Sequence, residues 1–259
     1  VAPLIFAHAF TDPVAIRNTV IAVLLFCCAS SATYILNDLH DIEKDRKHPT
    51  KRLSRPLAAG TVTPATARVA LAVLIVVVLL AWLWSVPTAI ALFGYLALNV
   101  AYTFVLKDQP VADIFSIAVG FVLRVYAGAV AIEVPLSSWM AITTLCLALY
   151  LASVKRRQEL ALVGTDSRKV LNHYTPELID RYAEMSAVGA LIFYSLFVMS
   201  SAPALTPTIP VVIFGLFRYW FVVDKLEGGE SPTDVVLTDI PLALTIGVWA
   251  GLCVVSLRG

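Results

Sequence analysis

The sequence predicts an all-α, polytopic membrane protein, and three observations carry that reading. Apolar residues make up 59% of the 259 and charged residues only 14%, with a mean hydropathy of +0.84. Apolar runs recur at about 20 residues each, the length a helix needs to cross a hydrocarbon core of roughly 30 Å. Once these runs are assigned, no stretch remains for a soluble domain, so residues 1–259 read as a single transmembrane domain. The net charge of +1 says nothing about partners; the distribution of charge does. The lipid bilayer is the expected environment, and no nucleic-acid partner is expected.

Nine spans follow in order. Residues 1–10 are too short to cross and read as the end of a first helix whose start is missing, and no cleavable signal peptide is visible. Thr11-Asp12-Pro13 is a turn, and a second span covers about 14–36. A third covers 64–84, with Pro64 at a favourable helix start. Pro87 opens a fourth, to about 106, and 107–110 is a tight connection to a fifth at 111–132. The sixth covers 136–154 and ends at Lys155-Arg156-Arg157. A polar loop reaches Thr175; the seventh span is 180–200, the eighth 208–223 and the ninth 241–257. Cys27, Cys28, Cys146 and Cys253 all fall in apolar runs without metal-ligand spacing and read as small packing residues.

The loops fix the orientation. Connections 37–63, 107–110, 155–175 and 224–239 share one side. On the other side Arg17 is the sole Lys or Arg. The basic side is cytoplasmic by the positive-inside rule.

The densest charge lies in residues 37–60, NDLHDIEKDRKHPTKRLSRPLAAG. If the second helix continues through it, Asn37, Asp41 and Asp45 fall four apart on one face with Asp38 beside them. Carboxylates stacked that closely repel unless a cation sits among them. A few hard oxygen ligands beside Lys51, Arg52 and Arg55 suit Mg²⁺ shared with a substrate phosphate better than a closed protein cage. A solvated loop whose acids merely balance its bases does not require such order.

The pattern Asn-Asp-x-x-Asp-x-x-x-Asp, then His48-Pro49-Thr50-Lys51-Arg52 and Arg55-Pro56-Leu57-Ala58-Ala59-Gly60, resembles the first signature of the UbiA superfamily of intramembrane prenyltransferases. Within it the chain is most similar to the decaprenyl-phosphate phosphoribosyltransferase branch. That branch separates its Lys-Arg pair from Arg-Pro by one residue; here Leu53 and Ser54 both intervene, which leaves both Arg52 and Arg55 as candidates for substrate.

A second constellation, Lys155-Arg156-Arg157-Gln158-Glu159-Leu160, has a simple alternative reading as a headgroup anchor. Glu159, however, is one turn beyond Lys155 and can orient it. Aromatic prenyltransferases of the superfamily carry a second Asp-x-x-x-Asp motif in this loop. None stands between Lys155 and Pro176, and Lys-Arg-x-x-Glu in its place resembles the phosphoribosyltransferase branch. Asp180 and Glu184 begin a helix, where acids are favoured, and read as structural.

Tyr102, Lys107 and Asp113 cluster around the fourth-to-fifth connection. Arg124 shares a helix face with Asp113 and is expensive inside a membrane unless it faces a polar interior or pairs with a neighbouring carboxylate. Leu123-Arg124-Val125-Tyr126-Ala127-Gly128 resembles the family's Leu-Arg-x-x-Ala-Gly stretch, and Arg218-Tyr219 with Asp224 also match the branch. His48 and His173 are assigned no role. No nucleophile triad, zinc spacing, Rossmann or P-loop pattern is present.

The resemblance implies transfer of 5-phosphoribose from 5-phosphoribosyl 1-diphosphate to a polyprenyl phosphate at a bacterial plasma membrane, with the site facing the cytoplasm. Asp38, Asp41 and Asp45 would hold Mg²⁺. Lys51 would join them in catalysis, and the remaining Lys and Arg candidates would bind the substrate anions. Self-association is left open. The nearest rival is an aromatic prenyltransferase using a polyprenyl diphosphate. A secondary transporter is more distant, because it predicts acids at the midplane and related halves rather than acids at the cytoplasmic rim.

Overall fold

The chain's longest helix positions everything else. In the computed structural model, which describes residues 2–7, 9–47, 51–163, 169–225 and 232–257, α1 (Ala2–Phe6) is a short stub and α2 (Pro13–Lys47) follows. At 35 residues α2 is about 52 Å long, well beyond a ~30 Å hydrocarbon core. Its last third carries Asn37, Asp38, Asp41 and Asp45 as unbroken helix, so the four-residue spacing does become one face.

A single turn, α3 (Lys51–Ser54), leads back toward that face. Gly60, at φ +75, supplies the left-handed residue of the turn that follows. The remaining helices are α4 (Pro64–Leu79), α5 (Ala81–Trp84), α6 (Val86–Phe104), α7 (Ala112–Ala131), α8 (Ser138–Val163), α9 (Pro176–Ser201), α10 (Thr208–Lys225), α11 (Pro232–Thr238) and α12 (Ile240–Ser256). Four of them start alike: Thr63, Ser85, Thr175 and Asp239 each cap a helix whose first turn contains proline, the side chain accepting a backbone N–H three residues on.

Six helices among the described residues are long and apolar enough to cross a membrane: α2, the continuous α4–α5 unit, α6, α7, α8 and α9. The three other expected spans are lesser features. α1 has five residues, α10 carries Arg218, Asp224 and Lys225, and α12 is a shorter apolar helix. Two boundaries also move. α8 continues to Val163, so Lys155-Arg156-Arg157 lies within a helix rather than at its end, and α9 starts at Pro176, one turn before Asp180.

Two cores flank the site. Phe26, Ala29, Val78, Leu92, Tyr95 and Ala127 join α2, α4, α6 and α7. Tyr150, Val154, Ala183, Tyr219, Val235 and Leu242 join α8 to α12. α8 and α9 approach closely because residue 189 is glycine: a Cβ there would lie 3.1 Å from Cys146 Sγ. All four cysteines are free; Cys253 is buried and Cys28 and Cys146 half-buried, as packing residues are, whereas Cys27 is exposed.

Candidate active site

A cavity of about 770 Å³ opens between α2, α6, α7 and α8, with Val236 of α11 at its edge. Asn37, Asp41 and Asp45 face it from the polar end of α2. Arg55, Lys107, Lys155 and Arg156 bring positive charge to the same space from three other segments, and Tyr102 and Arg124 also line it. Nine residues singled out in the sequence therefore converge on one cavity.

The acids are neutralised in pairs. Arg55 Nη1 bonds Asp38 and lies 3.2 Å from Asp45 Oδ2, so one guanidinium ties together two acids that stand two turns apart on α2. Lys107 Nζ donates to both oxygens of Asp41, at 2.9 and 2.7 Å. His40 adds a contact to Asp41 at 3.0 Å and packs edge-on to Phe104. Among the described residues no three acidic, Cys or His groups converge tightly enough to hold an ion unaided. The donor set is still of the right kind, hard oxygens at a cavity wall, for an ion that keeps several ligands from elsewhere.

On the opposite wall, Arg156 is 1% exposed and Asp113 fully buried. Arg156 Nε sits 3.1 Å from Asp113 Oδ2, and its Nη1 bonds Glu159. The Tyr174 hydroxyl donates to Asp113 Oδ1 at 2.7 Å and accepts the Val111 N–H at 2.6 Å. Val111 has φ +68, a costly conformation for a β-branched residue, and this hydrogen bond is one of the contacts holding it there. A buried arginine of this kind is fixed in place by its carboxylates, which compensate the loss of water.

Arg124 meets no carboxylate among the described residues. Its Nη2 donates to Ser30 Oγ at 3.0 Å and Tyr95 OH at 2.8 Å, and its guanidinium lies against the rings of Tyr95 and Phe121. Arg157, outside the cavity, ties α8 to Asp180 of α9 at 2.6 Å and to Asp224 of α10 at 3.0 Å. That agrees with a structural Asp180.

Several expectations need correction. Arg52 is exposed on α3 and absent from the cavity wall; the chain turn after it delivers Arg55 instead. Asp113 does not touch the cavity but supports Arg156. Glu159 bonds Arg156, the neighbour of the lysine it was expected to orient. Arg218 points away from the cavity to Asp239, with bonds of 3.0 and 2.7 Å, and Asp239 caps α12. That bond to Arg218 holds the Asp239 carboxyl below its ordinary range. His48, Pro49, Thr50 and the Lys51 side chain lie outside the described residues.

The sequence did not single out Ser30, His40, Tyr95 or Tyr174. Tyr95 and Asn99, one turn apart, are visible as polar residues in an apolar helix; Tyr174 is visible only as part of the loop run His173-Tyr174-Thr175-Pro176-Glu177, because its partner Asp113 is 61 positions away.

Comparison with known proteins identifies the family and the fold. The model of the UbiA prenyltransferase family matches residues 1–233. A decaprenyl-phosphate phosphoribosyltransferase from Mycolicibacterium smegmatis is 34% identical over 250 residues, covering 89% of this chain and 77% of that protein. Its namesake from Corynebacterium glutamicum is 34% identical over 263 residues, covering 96% and 78%. Among solved structures, a UbiA homolog from Archaeoglobus fulgidus bound to GPP and Mg²⁺ aligns with a TM-score of 0.75 over 99% of this chain and 95% of its own. At 18% identity that likeness is one of fold.

Proposed function

The chain belongs to the UbiA prenyltransferase family, and from that premise we propose that it transfers 5-phosphoribose from 5-phosphoribosyl 1-diphosphate to a polyprenyl phosphate, releasing diphosphate. The relatives' names support the substrates. The observation that carries the reading is the cavity itself, where three α2 residues with hard oxygens, Asn37, Asp41 and Asp45, stand among Arg55, Lys107, Lys155 and Arg156. A doubly phosphorylated sugar meeting a lipid phosphate needs that much fixed positive charge. A prenyl diphosphate meeting a neutral aromatic ring needs less, and a second acidic cluster would suit it better.

Mg²⁺ held by Asp38, Asp41 and Asp45 would neutralise the departing diphosphate. On donor binding, Arg55 and Lys107 exchange carboxylate for phosphate oxygens, so charge already gathered at the site is re-used without desolvating new groups. Lys51 follows α2 closely enough in sequence to reach the same anion. Lys155 and Arg156 face it across the cavity, Arg156 held by Asp113 and Glu159. Tyr102 and Asn37 line the donor region. The acceptor phosphate is already ionised, so no general base is required. The C1–O bond to diphosphate breaks as an acceptor oxygen bonds C1.

In this reading α10 and α12 are two further crossings, and residues 1–259 form one unit in a bacterial plasma membrane with the cavity open to the cytoplasm. Self-association is compatible with it. Incubating purified protein with both substrates and Mg²⁺ and weighing the extracted lipid tests the reaction: the acceptor gains one phosphoribosyl group if the proposal holds, and remains unchanged if it does not.

A further inference from the structure

Arg124 is left with unmet hydrogen-bonding capacity. A guanidinium carries five N–H donors, and two bonds leave Nη2, to Ser30 and Tyr95. Nε and Nη1 meet no acceptor among the described residues, although the residue lines the cavity at a depth where unpaired charge is costly. Rings on two sides confine the guanidinium, with centroids 5.2 and 5.0 Å from Cζ. The group is held in place, with donors to spare for an anion in the cavity that it lines.

The depth indicates which anion. Ser30 precedes Asp41 by eleven residues on α2, so Arg124 lies about 16 Å below the acidic face. Displacement at the ribosyl carbon puts the attacking oxygen opposite the leaving one. A departing phosphate, the carbon and an attacking phosphate in line, with a metal contact at one end and a charge-assisted hydrogen bond at the other, extend roughly 15 Å. The wall beside Arg124 is apolar, formed by Ile117, Gly120 and Phe121.

Resting on the phosphoribosyl-transfer reading, we propose that Arg124 binds the phosphate of the polyprenyl acceptor, on the side of the ribose opposite the leaving diphosphate. Ser30 and Tyr95 fix the guanidinium so that Nε and Nη1 face the incoming phosphate. The acceptor oxygen supplies the electron pair of the new C1–O bond, the diphosphate leaves with the pair of the old one, and no proton moves.

The test uses the full chain in lipid nanodiscs. The Kd of labelled 5-phosphoribosyl 1-diphosphate is measured with Mg²⁺ and no acceptor, and the KM for decaprenyl phosphate is measured separately. Arg124→Gln raises the acceptor KM roughly ten- to hundredfold, Arg124→Lys raises it less, and both leave the donor Kd within about twofold. Tyr95→Phe keeps the ring and removes one fixing hydroxyl; it raises the acceptor KM several-fold with the donor Kd unchanged. A donor Kd that rises as far as the acceptor KM assigns Arg124 to the donor's 5-phosphate and overturns the proposal. An unchanged acceptor KM overturns it too, and in Tyr95→Phe it does so even if the Arg124 variants do not fold. Wild type that moves no label to decaprenyl phosphate overturns the phosphoribosyl reading itself, and the role given to Arg124 with it.

Discussion

Arg55 clamps Asp38 to Asp45: one guanidinium nitrogen bonds the first carboxylate and lies 3.2 Å from the second, two helical turns away. The contact favours Arg55 over Arg52 as the arginine beside the cavity, next to the acids proposed to hold a metal.

Arg55→Ala is therefore expected to lower kcat/KM for the sugar donor by roughly ten- to hundredfold, the loss of one charge-assisted phosphate contact. Arg52→Ala, on the exposed side of α3, is expected to stay within about threefold. Steady-state kinetics on the two variants decides it, and equal losses would refute the assignment.

Asp38→Asn, Asp41→Asn and Asp45→Asn are each expected to abolish transfer while the protein still elutes as a single folded peak. Chelation by EDTA is expected to do the same to wild type, and added Mg²⁺ to restore it. Full activity in chelator would rule out the metal.

The Arg156–Asp113–Tyr174 chain predicts a graded series. Asp113→Asn removes the charge behind a buried arginine and should raise the donor KM at least tenfold. Tyr174→Phe leaves that charge in place and removes one of its hydrogen bonds, so a rise of a few-fold is expected. Equal effects on donor and acceptor KM would point to general loosening of the fold instead.

How much of this is legible in the sequence follows from the range of each contact. The acidic face of α2 can be read because helical spacing alone creates it, and Pro64 and Pro87 mark helix starts within their own turns. Arg55, Lys107 and Arg156 are legible as charges, but their partners are not. Lys107 reaches Asp41 across 66 positions, and Tyr174 reaches Asp113 across 61. Arg218 misleads because a basic residue near a helix end looks the same in sequence whether it meets substrate or holds a neighbouring helix through Asp239.

That last pair carries its own prediction. Asp239→Ala loses both the α12 cap and the Arg218 bond and should lower the melting temperature by about 2–4 °C, with transfer at 25 °C unaffected. Asp239→Asn retains a capping side chain and should lose less. The pH sign follows from a folded pKa below the unfolded one. The stabilisation is present above the unfolded value and is lost as pH falls through the lowered folded value. A melting curve insensitive to Asp239→Ala would contradict the capping role.

Orientation is open to a labelling test in a cysteine-free background. A membrane-impermeant thiol reagent added to intact cells should modify a cysteine placed at Ser137 and miss one placed at Leu53, which is exposed on α3 beside the acidic face. The reverse pattern would turn the cavity outward.

The proposed reaction joins a phosphorylated sugar to a lipid phosphate in this cavity. That is measured by giving the purified protein ribose-labelled 5-phosphoribosyl 1-diphosphate, decaprenyl phosphate and Mg²⁺, then counting label in the lipid phase. Label is expected there in step with diphosphate release, and none with Asp41→Asn. An unlabelled lipid phase, together with prenylation of an aromatic acid from a polyprenyl diphosphate by the same preparation, would contradict phosphoribosyl transfer.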